Sequence, residues 1–260
     1  QPHPLQKNVD ITKCEMRLQM NRHFSETPSQ TWIGLRSPLF IGLVIMTSCN
    51  GGSEKPPSND QTDATHPLQE ADADANSGAR ERMVASQLAA RDIRNRRVLD
   101  TIRRVPRHQF VPADLQKIAY SDSPLPIGSG QTISQPYIVA LMTQLVDPKP
   151  DHKALDVGTG SGYQAAVLAE LVKDVFSIEI VDSLAVDARK RLQALGHNNV
   201  TIRSGDGYAG WKTEAPFDVI IVAAAPDHVP PALVEQLARG GKMVSPIGDR
   251  SQSLILIEKK

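Results

Sequence analysis

The second half of the sequence alternates short apolar segments with amphipathic stretches of helical length. The apolar segments are rich in Val and Ile, nearly continuous in apolar character, and begin at residues 154, 175, 200, 217, 242 and 254. Strands of this kind are buried on both faces, as in a parallel sheet covered by helices. The alternation therefore predicts an α/β fold, a doubly wound and mostly parallel Rossmann-like sheet with helices on both faces.

The segment before these strands carries the periodicity of helices. Apolar residues recur every three to five positions from Met83 to Val105, which predicts two short helices and hence a small N-terminal helical segment. The stretch 80–107 holds nine arginines and three acids, a pattern typical of a solvated helix face. Residues 107–136 are rich in Pro, Gly and Ser in their second half and predict an irregular, functional loop.

The N-terminal residues divide into two further regions. Residues 50–79 carry six acids, one lysine and few large apolar side chains, which predicts a disordered acidic linker between an extension, 1–49, and a folded domain, 80–260. Within the extension, the apolar run 39–46 suits the central region of a secretory signal and leads to Cys49. The run resembles a lipoprotein processing site with Cys49 as lipid acceptor, but a chance apolar stretch explains it equally well.

Composition excludes some functions. Lys plus Arg and Asp plus Glu balance at 29 each, so no overall field attracts the chain to nucleic acid, and membrane binding is not expected apart from the Cys49 alternative. The two cysteines, Cys14 and Cys49, lie outside the predicted folded region, and no metal site is expected. Four histidines have no nucleophile motif beside them and are expected at the surface: His108, His152, His197 and His228.

A glycine-rich turn lies between the first strand and the helix after it. It contains Gly158, Thr159, Gly160 and Gly162, with Asp156 two residues before the first glycine. This spacing differs from the dinucleotide pattern, and the acid would repel a pyrophosphate. Asp156 could instead meet the cationic amino end of a methionine group, directly or through water. Glycines in such turns can also serve packing alone.

Two more acids follow the next two predicted strands. Glu179 ends its strand about 20 residues after the turn, where Rossmann-like folds place a carboxylate that accepts both ribose hydroxyls. The alternative is a solvated acid at a strand end. Asp206, followed by Gly207, could accept from an adenine amino group. Three acids at one sheet edge are stronger evidence for an adenosine-containing ligand than any one of these acids alone.

Several segments together resemble one enzyme family. LPIGSGQTISQPYIVALMTQL, LDVGTGSGYQAAVLAEL, VFSIEIVDSLA and NVTIRSGDGYAGW are similar to the bacterial protein-L-isoaspartate O-methyltransferases, and the resemblance covers residues 80–257. Its most specific element is residues 131–136, QTISQP. The resemblance implies methyl transfer from S-adenosylmethionine to the free α-carboxylate of L-isoaspartyl residues in damaged proteins and peptides, which initiates repair through a succinimide.

The implied chemistry needs positioning more than proton transfer. An α-carboxylate has a pKa of about 3.5 and is ionised at neutral pH, so no general base is required. The resemblance makes Ser134 the active-site residue, with a hydroxyl that orients the carboxylate, and places Thr132 and Ile133 in the same substrate-binding loop. A second interpretation of Ser134 is a cap for the helix that starts near Pro136.

The resemblance leaves three further expectations. Family members continue beyond the strand at 254, so we expect an exposed sheet edge there. S-adenosylmethionine is made in the cytosol, which favours a cytoplasmic enzyme over an exported lipoprotein. Alternatives to the isoaspartyl reaction are a methyltransferase for another carboxylate acceptor and a catalytically silent binding module.

Overall fold

The computed structural model describes residues 11–17, 76–224, 226–248 and 253–260. All of them fall within one unit of the chain. The apolar run 39–46, Cys49 and linker residues 50–75 lie outside the described residues. Among the residues described, no helix is long and apolar enough to cross a membrane.

The strands form one large sheet and one small hairpin. The sheet strands are β1 (Ile11–Arg17), β4 (Lys153–Val157), β5 (Asp174–Glu179), β6 (Val200–Ser204), β7 (Phe217–Val222), β8 (Leu237–Ile247) and β9 (Ser253–Lys259). The hairpin strands are β2 (Leu125–Gly128) and β3 (Gln131–Ile133). The helices are α1 (Ser77–Met83), α2 (Arg96–Arg104), α3 (Pro136–Val146), α4 (Tyr163–Ala169), α5 (Asp182–Ala194) and α6 (Pro231–Gln236), and α1 continues as a π-helical turn, Val84–Ala89.

The seven-stranded sheet has the order β1, β9, β8, β7, β4, β5, β6. Strands β4 to β8 pair in parallel, whereas β9 runs antiparallel to β8. Successive β7 residues enter different cores, since Val219 and Ile221 belong to one apolar cluster and Ile220 and Val222 to the other. Burial of both faces confirms the predicted mostly parallel α/β fold.

The chain crosses the sheet in a way that creates a binding edge. From β4 it proceeds outward to β5 and β6, and it then returns to place β7 on the other side of β4. Ligands of such folds bind beyond the carboxyl ends of the strands at this reversal. The glycine-rich turn follows β4 at this point.

The expectation of an exposed sheet edge at β9 is wrong for the described residues. Strand β1 pairs antiparallel with β9 along its whole length, from Ile11 opposite Lys259 to Arg17 opposite Ser253. Cys14, expected outside the folded region, lies in this strand and is exposed. Seven residues from near the start of the chain thus supply the pairing that β9 would otherwise lack.

Two local expectations also need correction. The stretch 107–136, predicted as irregular, contains 3-10 turns at Arg107–Phe110 and Ala113–Ile118 and the β2–β3 hairpin. His108 and His197, expected at the surface, are buried. Imidazole rings are tolerated there because His108 Nδ1 lies 2.8 Å from the Tyr120 hydroxyl and His197 Nδ1 lies 3.7 Å from a Glu170 oxygen.

Candidate active site

A cavity of about 220 Å³ lies beyond the carboxyl ends of β4, β5 and β7. The segment between β3 and α3 forms its other side. Most of the residues predicted from the sequence line it: Thr132, Ile133, Ser134, Gly158, Thr159, Gly160, Glu179, Asp206 and Gly207. The fold therefore brings the 131–136 segment and the glycine-rich turn, about 25 residues apart in sequence, to one cavity.

Two of the predicted glycines allow close packing at the site, one on the cavity wall and one away from it. A Cβ on Gly207 would lie 2.5 Å from Val157 Cγ1, so only glycine lets the turn after β6 pass this close to β4. Gly162 does not line the cavity. It precedes α4 with a φ of 92°, and a Cβ there would lie 3.2 Å from Leu192 Cδ1 in α5. This close contact favours helix packing, the alternative considered from the sequence, for Gly162.

Glu179 is buried at the end of β5, where its carboxylate accepts two backbone hydrogen bonds. Oε2 accepts from Gly160 N at 2.7 Å, and Oε1 accepts from Val181 N at 3.0 Å. These bonds fix the carboxylate against the glycine-rich turn, and each oxygen keeps a further lone pair. The alternative of a solvated strand-end acid is inconsistent with an exposed fraction of 4%.

Asp156 lies behind the cavity wall rather than on it. Its Oδ2 accepts from Ser177 Oγ at 2.8 Å, and Ser177 Oγ lies 2.5 Å from Thr159 Oγ1. The pKa of Asp156 is raised to about 7. Burial raises it most, the hydrogen bond from Ser177 lowers it, and neighbouring Glu179 raises it further. Its hydrogen bond to Ser177 therefore connects Asp156 with Thr159 in the glycine-rich turn.

The segment that carries Ser134 is held between regular elements. Thr132 pairs with Pro126, and Ile133 pairs with Leu125, in the hairpin. The N-cap of α3 is Gln135 without a side-chain capping bond, so the interpretation of Ser134 as the helix cap is not supported. The Ser134 carbonyl accepts from Arg107 Nη2 at 2.8 Å.

Asp206 lies two residues after β6 and accepts from Tyr208 N at 2.9 Å. Tyr208 also lines the cavity and is 38% exposed. Trp211, three residues further on, packs against Phe176, with the two ring centroids 5.4 Å apart.

Sequence reasoning missed several cavity residues that directly follow strands. Ile180 comes after β5 and is 74% exposed, an unusual state for a large apolar side chain, and Ala223 comes after β7. The rule that ligands bind at carboxyl ends of parallel strands would have found both. Tyr163 and Gln164, at the start of α4, also line the cavity and gave no such signal.

Comparison with known proteins gives one consistent family. The family model described as protein-L-isoaspartate(D-aspartate) O-methyltransferase matches residues 79–260. Protein-L-isoaspartate O-methyltransferase 2 of Shewanella sediminis is 56% identical over 184 residues, which are 70% of this chain and 75% of the relative. A Picosynechococcus protein-L-isoaspartate O-methyltransferase is 52% identical over 187 residues, 72% of this chain and 84% of its own length.

Solved structures agree with these relatives. A structure named protein-L-isoaspartate O-methyltransferase superposes with a TM-score of 0.64 and 28% identity, over 70% of this chain and 60% of that one. A Plasmodium falciparum structure named for the same activity, in complex with S-adenosyl-L-homocysteine, gives a TM-score of 0.60 and 29% identity over 70% of this chain and 90% of its own.

Proposed function

The chain belongs to the protein-L-isoaspartate(D-aspartate) O-methyltransferase family, and we propose that its cavity transfers a methyl group from S-adenosylmethionine to the α-carboxylate of L-isoaspartyl residues. One observation carries the assignment of the site. The 131–136 segment, the most specific part of the resemblance, and the glycine-rich turn with Glu179 line the same cavity. A methyl donor and a carboxylate acceptor need such adjacent sites.

The residues present fit S-adenosylmethionine. We assign the ribose hydroxyls to Glu179, whose two oxygens each keep an accepting lone pair, and the adenine amino group to Asp206. Exposed Ile180 offers an apolar wall for the base. The turn Gly158–Thr159–Gly160 allows close approach of the methionine portion. When bound, S-adenosylmethionine supplies an electrophilic methyl group on a sulfonium.

The protein's task in the reaction is to bind and orient. The acceptor carboxylate is already ionised near neutral pH, so no residue has to remove a proton. Ser134, on the cavity wall, donates a hydrogen bond from its hydroxyl to this carboxylate, which keeps its negative charge. Thr132 offers a second hydroxyl, and Ile133, which is 4% exposed, anchors the segment in the core. Positioning and exclusion of water account for the acceleration.

For Asp156 we propose a role different from the one suggested by its place in the sequence. Because it contacts Ser177 and Ser177 contacts Thr159, we assign it to shaping the glycine-rich turn rather than to meeting the ligand's amino group directly. Gly162 and Gly207 support the same turn through close packing with Leu192 and Val157.

The substrates are proteins and peptides with isoaspartyl damage. We propose that neither nucleic acid nor a membrane is a partner, which the balanced charge supports. We further propose that the catalytic domain acts in the cytoplasm and that residues 50–75 are its linker, because α1 already begins at Ser77 rather than at residue 80. Lipidation of Cys49, measured by labelled palmitate, would instead establish the exported alternative.

The assignment of Ser134 is tested by paired substitutions in one segment of the chain. Ser134→Ala should lower kcat for an isoaspartyl peptide by about 10- to 100-fold, with unchanged affinity for S-adenosylhomocysteine. Ser129→Ala is the matched control, since Ser129 is exposed at the hairpin turn and does not line the cavity. Equal activity of the two variants would reject the role of Ser134. A wild-type protein that binds the cofactor but labels no peptide would support the silent module.

A further inference from the structure

Arg107 is the largest fully buried side chain in the described part of the protein, with no exposed surface. It does not line the cavity and lies in the 3-10 turn after α2. Its guanidinium binds backbone: Nε donates to Ala119 O, and Nη2 donates to Ser134 O, both at 2.8 Å. The sequence had placed it at the end of an arginine-rich, solvated stretch, so its burial needs a separate explanation.

Burying a guanidinium is costly, and filling space alone does not account for it. Burial lowers the pKa of Arg107, which reflects the loss of water around the charged form. An apolar side chain of similar size would avoid this cost. What arginine adds is a planar group with donors in fixed directions, which can hold two carbonyls at a set separation.

The Ser134 carbonyl lies between β3 and α3, and neither element provides its hydrogen-bond donor. Strand β3 ends at Ile133, and α3 begins at Pro136. At the start of α3, Tyr137 N donates to Asp122 Oδ1, and Ile138 N and Val139 N both donate to Gln135 O rather than to Ser134 O. Arg107 therefore provides the bond that neither hairpin nor helix supplies at this residue.

Arg107 also contacts the opposite side of the site. Its guanidinium carbon lies 4.9 Å from the ring centroid of Tyr163. Tyr163 is the first residue of α4, directly after the glycine-rich turn, and it lines the cavity. One buried side chain thus contacts the backbone of the substrate segment and a wall residue beside the cofactor turn.

We propose that Arg107 is a positioning residue that fixes the Ser134 hydroxyl relative to the cofactor-binding wall. The inference rests on the proposed function, because Ser134 must orient the acceptor for its placement to affect the rate. Methyl transfer is sensitive to alignment, and a misplacement of about 1 Å can cost about 100-fold in rate. A purely structural Arg107 would instead affect stability without a specific effect on turnover.

Arg107→Lys and a control at Arg97 separate these two roles. Lysine keeps the charge but has no planar fork, so it cannot reproduce both bonds. Arg97 also donates to two carbonyls, Pro148 O at 2.9 Å and Leu171 O at 3.0 Å, but it does not contact the 131–135 segment and is exposed. Arg97→Lys is therefore a matched loss of an arginine–carbonyl bridge away from the site.

Three measurements are made on the full chain with each variant. Amide hydrogen exchange of residues 131–135 should become faster in Arg107→Lys and remain unchanged in Arg97→Lys. The kcat for an isoaspartyl peptide should fall about 10- to 100-fold in Arg107→Lys, with KM for S-adenosylmethionine changed by less than about twofold. Thermal unfolding shows how much of each loss stability explains, and Arg107→Gln replaces Arg107→Lys if the latter does not fold.

The outcomes are distinct. Unchanged exchange at 131–135 overturns the inference whatever the activity, and so does a loss of kcat that matches Arg97→Lys at equal loss of stability. If the wild-type chain methylates no isoaspartyl peptide, the proposed function fails by itself, and exchange still decides whether Arg107 holds the segment. Faster exchange with a selective fall in kcat supports the inference.

Discussion

Glu179→Gln is the substitution whose effect follows most directly from the geometry of the site. The carboxylate accepts from Gly160 N with one oxygen and from Val181 N with the other. A glutamine has one oxygen and one NH2 group. Whichever way the amide is turned, one of the two backbone amides loses its acceptor and faces another donor, and the charge that strengthens both bonds is lost.

The magnitude comes from these two bonds. A hydrogen bond to a charged group contributes about 1.5–3 kcal/mol, and a buried donor left without an acceptor costs about 1–3 kcal/mol. The glycine-rich turn is destabilised by the same substitution, because Gly160, which donates one of the two bonds, belongs to this turn. If the turn must be ordered to bind the cofactor, a loss of about 1.4–3 kcal/mol weakens binding by about 10- to 100-fold.

Isothermal titration with S-adenosylhomocysteine measures this change directly. Glu258→Gln is the control, since Glu258 is exposed on β9 and the chemical change is the same. We expect the control to bind like the wild type and Glu179→Gln to bind about 10- to 100-fold more weakly. Affinity of Glu179→Gln within about twofold of the control would refute the reasoning that this carboxylate organises the cofactor site.

Three further changes have defined outcomes. Gly207→Ala places a Cβ 2.5 Å from Val157 Cγ1 and should lower the free energy of unfolding in urea by about 1–3 kcal/mol, and an unchanged midpoint would contradict the close packing. Asp156 has a pKa of about 7 in the folded state against an ordinary 3.8, so the folded state binds more protons than the unfolded state between these pH values. As pH rises from about 4 to about 7, this group therefore lowers the free energy of unfolding by on the order of 4 kcal/mol. Asp156→Asn should remove that slope in urea unfolding, and a slope equal to the wild type's would contradict it. Deleting residues 1–18 removes the β1 partner of β9, so stability should fall and sedimentation should show concentration-dependent association; a stable monomer would contradict this.

The parallel sheet was predictable because its signal is local. Strands β4, β5, β7 and β8 carry apolar residues on both faces, so successive residues such as Ile220 and Ile221 enter different cores, whereas the edge strand β6 buries one face. The edge strand β1 gives no such signal. Its pairing with β9 joins residues more than two hundred positions apart, and its described side chains from Thr12 to Cys14 are exposed.

A residue of the candidate site could be predicted where its type and its position in the sheet together indicate one chemical role. Glu179 meets this condition, whereas the 131–136 segment was identified through its resemblance to one enzyme family. Asp156 does not meet it, because its direction relative to the cavity depends on Ser177 in the neighbouring strand. Arg107 was hidden in a run of arginines, and only the folded chain shows that its partners are the Ala119 and Ser134 carbonyls.

The central claim is tested most directly by methyl transfer to a pair of peptides that differ only in one linkage. The chain is incubated with methyl-labelled S-adenosylmethionine and either the L-isoaspartyl or the L-aspartyl form of one peptide, and base-labile label is counted. The account predicts label in the isoaspartyl peptide alone, followed by its conversion to a succinimide. Equal labelling of both peptides, or of neither, would contradict it.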